Sequence, residues 1–415
     1  MKNVLCVNEK KFKSVFVSLN LLAYLDAKDI SKNALLANVL KSGNKKYTTK
    51  RALKLKLADL YDASADIQVE KFSNYLSLKV AFEFINASVI EKIKEENIID
   101  FIINYIGNPC IEDNQFNEDI VEREKKKLIE KINEEKDNKR SYALSKLEKI
   151  MFKNDAYGVS VLGDEEELIN LTAKELYKFY MNVITNSKIV IQVVGNLDGY
   201  ENLADNLNKE LSNKFNNISS LEIKPSICLN ERKGIMEEIE NQQISQSIVT
   251  VGARFIDIKK EETYAAMVYA QILGGNPASL MFQNVREKAS LAYFAKAMYN
   301  RQKEVIYAFA GIEPDKYEKA KELIVQQFEL MKKGDFAEIQ FTASKDTLIS
   351  SYKEAYDDKI AIAKMKLANE LYFGEDIDIE EILQNIQKVT IQDVINIANK
   401  VNVDTIYCLG GVRSE

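Results

Sequence analysis

The chain has 415 residues, of which 46% are hydrophobic and 29% charged, enough apolar material for two or more domains. Its formal net charge is −6 and no basic stripe interleaved with aromatics stands out, so nucleic-acid binding is not expected. It contains no histidine, which excludes a Ser-His-Asp triad, a Cys-His pair and every imidazole-based metal site.

Residues 15–25 form an apolar run after Lys10, Lys11 and Lys13. The run predicts a strand. It is too short to span a bilayer and no small-residue cleavage site follows, so the chain is expected to be soluble and cytoplasmic, with no membrane contact. Cys6, Cys110, Cys228 and Cys408 are scattered and form no Cys-x-x-Cys pair, as suits a reducing cytosol. Ser31 is expected to cap a helix that ends at Gly43. Residues 66–70 and 75–82 predict paired strands, and 118–152 a long helical segment. Thr172 and Glu175 have the spacing of a capping box, in which a hydroxyl and a carboxylate satisfy orphan amides. The helix they open leads to a strand at 188–194 that stops at Gly195. Residues 212–234 are polar, include Pro225 and predict a linker.

The second half repeats this order. A strand at 247–255 precedes a helix at 261–273 that ends at Gly274-Gly275. Strands follow at 292–299 and 304–311, then two helical segments between Pro314 and Phe373. Thr390 and Asp393 repeat the capping box, and a strand at 405–409 stops at Gly410. The shared order predicts an α+β protein of two tandem homologous domains, 1–211 and 235–415, each a mixed or antiparallel sheet covered by helices. One large unrepeated α+β fold is the alternative.

The segment Gly274-Gly275-Asn276-Pro277-Ala278-Ser279-Leu280-Met281 runs on to Arg286-Glu287-Lys288 and Leu291-Ala292-Tyr293. It resembles a C-terminal signature of the insulinase/pitrilysin family of zinc peptidases. The resemblance implies the fold of mitochondrial processing peptidase in both halves. It also implies that Arg286 and Tyr293 reach the first domain's site and hold the substrate and its developing oxyanion, a task suited to a guanidinium and a phenol. Without the resemblance, Arg286 reads as an exposed charge and Tyr293 as a half-buried strand aromatic.

Active members of that family carry His-x-x-Glu-His on a helix, followed by Lys-Gly-Thr or similar. Anchoring on Ser42-Gly43-Asn44 places Ala34, Ala37 and Asn38 at the His, Glu and His positions. Alanine has no lone pair, and Asn38 offers only a neutral amide oxygen. The family's third ligand is a glutamate in a Glu-x-Glu-x-x-x-x-x-Glu run, matched by Glu122, Glu124 and Glu130. Glu130 also reads as a solvated charge on an amphipathic helix, with Asn117 as its cap and Val121, Leu128 and Ile132 as its buried stripe. No metal, no cofactor and no catalytic residue is therefore expected. The chain is most similar to the family's non-catalytic, YmfF-like branch. That implies a subunit of a heterodimeric peptidase, with a His-x-x-Glu-His-bearing partner and a peptide substrate. A peptide-binding or scaffold homodimer is the alternative. An enzyme of other chemistry finds no defensible carboxylate pair and no phosphate-binding loop.

Overall fold

The computed structural model describes residues 3–91, 93–215, 221–223 and 234–411. The first half runs β1 (Val4–Asn8), β2 (Ser14–Tyr24), α1 (Ala27–Leu40), α2 (Lys50–Asp59), β3 (Ser64–Phe72), β4 (Tyr75–Ile85) and α3 (Glu95–Gly107). A short hairpin follows, β5 (Ile111–Glu112) and β6 (Gln115–Phe116), and then α4 (Glu118–Asp137), α5 (Lys139–Met151), α6 (Glu165–Asn170), α7 (Ala173–Asn186), β7 (Lys188–Gly195) and α8 (Leu203–Phe215). The second half runs β8 (Met236–Gln242), β9 (Ser247–Phe255), α9 (Thr263–Ala270), π-helical turns at Gln271–Gly275 and Met281–Lys288, β10 (Ala292–Asn300) and β11 (Val305–Ile312). It ends with α10 (Tyr317–Lys333), α11 (Glu338–Ala355), α12 (Lys359–Phe373), α13 (Ile379–Lys388), α14 (Ile391–Ala398) and β12 (Val401–Gly411).

The strands build two five-stranded sheets, ordered β1-β7-β2-β4-β3 and β8-β12-β9-β11-β10. In each, the first strand of the half pairs parallel with the last, and the other pairings are antiparallel. Read in step, the two orders superpose β1 on β8, β2 on β9, β3 on β10, β4 on β11 and β7 on β12. The tandem α+β architecture expected from the sequence is thus present. Both capping boxes form. The Thr172 hydroxyl accepts the Glu175 amide at 3.2 Å while the Glu175 carboxylate accepts the Thr172 amide at 3.0 Å. Thr390 and Asp393 do the same at 3.2 and 2.9 Å.

Local expectations shift in three places. Asp26, not Ser31, caps α1, accepting the Lys28 amide at 3.0 Å. Ser31 lies one turn inside, where its hydroxyl donates to Glu167 at 2.5 Å and accepts the Asp164 amide at 3.0 Å. The helical segment 118–152 breaks at Asn138, whose side chain accepts the Ser141 amide and starts α5. Helix α8 continues to Phe215, so the first residues of the expected linker are helical, and of 216–234 only 221–223 and 234 are described.

The chain divides into two units that are not consecutive stretches. One contains the first sheet with α1–α3, most of α4, α6–α8 and also α12. The other contains the second sheet with α5, α9–α11, α13 and α14.

Each unit has one apolar and one polar sheet face. In the first, Val15, Val17, Leu19 and Leu21 alternate along β2 with Phe16, Ser18, Asn20 and Leu22, and both sets are buried. Period-two alternation sends them to opposite faces. The first set joins Leu78, Val80, Phe82, Phe84, Ile191 and Val193 in the main core. On the opposite face the Gln192 carbonyl oxygen accepts from Asn20 at 3.0 Å and Ser18 at 3.1 Å, and its amide donates to Ala363 of α12 at 2.7 Å. Leu367 and Leu371 of α12 finish this face against Leu5, Leu22, Phe72, Tyr75 and Val190.

The second unit repeats the division. Thr250, Gly252 and Arg254 alternate with buried Val249, Val251 and Ala253. A Cβ on Gly252 would lie 2.2 Å from the Met151 sulfur, so glycine is what lets α5 approach. Arg254 donates to the Asp404 carboxylate, and to the Met151 carbonyl at 2.6 Å. Tyr307 donates to Glu148 at 2.9 Å, and Tyr142 and Tyr407 donate to Glu240 at 2.8 and 3.0 Å. Asp404 is 2% exposed, so its charge depends on Arg254. Arg254→Ala should cost about 3–5 kcal/mol, because it strands a buried carboxylate. Arg254→Met combined with Asp404→Leu should cost clearly less in urea titrations. Equal losses for the single and double variants would contradict this account.

Candidate functional site

Helix α1 is buried over most of its length, with Ile30, Ala34, Leu35, Leu36, Ala37, Val39 and Leu40 inside together with the polar Ser31 and Asn33. Ala34 and Ala37, at 6% and 4% exposure, belong to the main core cluster. Asn38 is half-buried, and its carbonyl accepts the Ser42 hydroxyl at 3.1 Å. Glu130 is exposed on α4. Among the described residues no group of three His, Cys, Asp or Glu side chains is placed to hold a metal. A catalytic zinc needs three protein ligands and an open position. Two alanine methyls, one neutral amide and one solvated carboxylate do not fit it. The purified chain should therefore hold far less than one zinc per chain by elemental analysis. Writing the motif back as Ala34→His, Ala37→Glu and Asn38→His should lower stability by about 1–3 kcal/mol per overpacked position rather than create a tight site. Stoichiometric zinc in the unaltered chain, or full stability in the triple variant, would count against this.

The buried carboxylate of α4 is Glu124, at 3% exposure. One of its oxygens accepts from Arg123 at 3.0 Å and from Lys50 and Lys127 at 3.1 Å each. Burial alone would raise its pKa. The donors from Lys127, Arg123 and Lys50 outweigh burial and bring it down to about 2. Sequence reasoning weighed Glu130 as the functional carboxylate and gave Glu124 no role of its own. The signal was spacing: Val121, Glu124, Lys125 and Leu128 share one helix face, and all are buried. Glu124 ties α2 to α4 and is an anchor rather than a reacting group. Because its folded pKa lies below its unfolded one, its contribution is complete above the unfolded value and is lost as pH falls toward about 2. At neutral pH Glu124→Gln should cost on the order of 1–3 kcal/mol. Urea titrations of both proteins at falling pH should converge; a gap that widens in acid would refute the assignment.

The signature segment of the second unit is firmly seated. A Cβ on Gly274 would lie 2.3 Å from the Ala297 amide nitrogen, so glycine is required for the turn to pack on β10. Leu280, Met281 and Val285 are buried. The Asn276 amide donates to Ser344 at 2.9 Å and the Asn284 amide to Gln327 at 2.7 Å. On this support Arg286 stacks 4.6 Å above the Phe282 ring, with its Nε 3.7 Å from Glu287. Its side chain is 41% exposed, and Tyr293 on β10 is 61% exposed. No hydrogen bond joins Arg286 to Tyr293 among the described residues. Both side chains are exposed, and the reading of Tyr293 without the resemblance, as a half-buried strand aromatic, gives way to a largely exposed one.

A family profile described as the peptidase M16 inactive domain matches residues 170–348, a span that includes Arg286 and Tyr293. The probable inactive metalloprotease YmfF of Bacillus subtilis strain 168 is 28% identical over 410 residues, covering 98% of this chain and 95% of that protein. The chain is similar to inactive homologues of the M16 peptidases. This is the insulinase/pitrilysin family, as the Arg286–Tyr293 signature implied. Solved structures agree in fold. A conserved protein from Enterococcus faecalis V583 matches with a TM-score of 0.91 at 24% identity, covering 99% of this chain and 97% of that one. The peptidase M16 inactive domain from Pseudomonas fluorescens matches with a TM-score of 0.80 at 18% identity, covering 99% and 96%. The tandem α+β scaffold is present in both halves, and of the positions matched from the sequence to metal ligands and base, Ala34 and Ala37 are core residues while Asn38 is half-buried and Glu130 exposed.

Proposed function

We propose that this M16 homologue is a non-catalytic subunit that pairs with a His-x-x-Glu-His-bearing relative and helps it hold peptides. The observation that carries the reading is an asymmetry. Ala34 and Ala37, matched to a metal ligand and the base, are sealed in the core, while Arg286 and Tyr293 remain exposed on a rigidly packed support. Exposed donors suit a peptide carbonyl, and the partner would supply zinc and base. Strand β3 has a neighbour on one side only, which suits an extended peptide that adds to a sheet edge. A reducing cytoplasm fits the free thiols of Cys6, Cys110 and Cys408. Among the described residues no helix is long and apolar enough to cross a membrane.

The test is co-purification from the source organism followed by reconstitution. A His-x-x-Glu-His chain should come down with this one, and the pair should cleave peptides that neither cleaves alone. In the pair, Arg286→Ala should lower kcat/KM by about tenfold, or about 1.4 kcal/mol. Clean separation of the two chains at micromolar concentration would reject the subunit reading. A homodimer that binds peptides without any partner would replace it.

A further inference from the structure

A chain with a net charge of −6 carries one stretch of the opposite sign. From Lys41 to Lys56 it holds Lys41, Lys45, Lys46, Lys50, Arg51, Lys54 and Lys56, with no Asp or Glu between them. Three are answered inside the first unit: Lys41 by Asp66 at 3.1 Å, Lys46 by Asp100 at 2.6 Å and Lys50 by Glu124 at 3.1 Å. Arg51, Lys54 and Lys56 have no acidic partner among the described residues.

Helical geometry sorts α2 into two faces. Leu53, Leu57 and Leu60 recur at i, i+4 and i+7 and pack against the main core. Arg51, Lys54 and Leu55 stand together on the outer face. Leu55 is 58% exposed, and Tyr61, just beyond the helix, is 45% exposed. Tyr61 and Asp62 are successive non-glycine residues at φ 57° and 59°, a conformation that costs each of them free energy. The face thus sets two unpaired cations beside a bare leucine, and an exposed tyrosine follows the helix in a strained turn.

We propose that the outer face of α2 docks an acidic segment of a partner polypeptide, with an apolar side chain of that segment seated against Leu55. Charge complementarity names the occupant: the face has two unanswered cations, Arg51 and Lys54, with the exposed Leu55 beside them. That apolar area is too small for insertion into a bilayer. Asp59, the last residue of α2 and one turn on from Leu55, and Asp62 beyond it end the cationic track, which suits a short acidic peptide and opposes a phosphate backbone running past. This surface does not depend on the subunit reading, because it uses neither Arg286, Tyr293 nor a catalytic partner.

The probe is a fluorescein-labelled ten-residue peptide of glutamates around two leucines, titrated with the full chain at low salt and read by anisotropy. Saturable binding is expected, weakening as salt rises. It should weaken about tenfold in Arg51→Glu/Lys54→Glu, and less in Arg51→Gln/Lys54→Gln and in Leu55→Ser. Lys174→Glu/Lys178→Glu on α7 changes net charge equally and should bind as the parent does. Thermal melts confirm that each variant is folded. The proposal is overturned by absence of saturable binding, or by equal effects of the α2 and α7 reversals. It is also overturned if anionic vesicles or a single-stranded oligonucleotide bind through Arg51 and Lys54 more tightly than the peptide.

Discussion

The central strands of each five-stranded sheet are buried on both faces, and the two faces are built from different chemistry. One is aliphatic and aromatic and gains its stability from removal of apolar area from water. The other carries Ser18, Asn20, Ser77 and Gln192 in the first unit, and Thr250, Arg254, Asp404 and Tyr407 in the second. Polar groups at this depth are tolerable only when hydrogen-bonded. The covering helices, α12 and α5, therefore have to supply partners as well as bulk. The Ala363 carbonyl does so for Gln192, and Glu148 and the Met151 carbonyl do so for Tyr307 and Arg254. Geometry this specific ties each helix to one sheet face more strictly than apolar packing would.

The same constraint explains how an M16 scaffold persists without M16 chemistry. An imidazole pair inside a domain is costly unless a metal or a hydrogen-bond partner receives it. Of the two imidazole positions matched from the sequence, one is the core methyl of Ala34 and the other the half-buried neutral amide of Asn38, and with Ala37 the helix closes into the core. The buried charge is kept elsewhere. Glu124 remains in the acidic run of α4, neutralised by three cations rather than by a metal. What α4 holds at Glu124 is an electrostatic anchor rather than a reacting group.

Much of this was legible in the sequence. The two capping boxes, at Thr172 and Thr390, mark the same helix in both halves, and the strands around residues 15–25 and 247–255 show the duplication because their apolar content is continuous. Other features were not legible, for physical reasons. β1 is short, and β8, Met-Glu-Glu-Ile-Glu-Asn-Gln, exposes most of its side chains, so neither shows a buried face. Ser31 has the chemistry of a cap, yet its hydroxyl is used by Glu167 and the Asp164 amide, partners more than a hundred residues away that no local pattern reveals. Membership of α5 and α12 in the unit of the opposite half is a tertiary choice, set by hydrogen-bond partners that only the folded sheets present.

Net charge misled in a similar way. A sum of −6 averages over long acidic helices and conceals the run from Lys41 to Lys56. At physiological salt, fields from exposed charges fade within about 8 Å, so a partner responds to the charges it touches and not to the total. Within that range Lys41, Lys46 and Lys50 are spent on Asp66, Asp100 and Glu124, while Arg51 and Lys54 face water beside Leu55. The paired lysines hold α2 in place, and the unpaired cations give its outer face a sign. A folded scaffold can thus present a locally cationic surface on an acidic chain without a long-range field that would draw in nucleic acid.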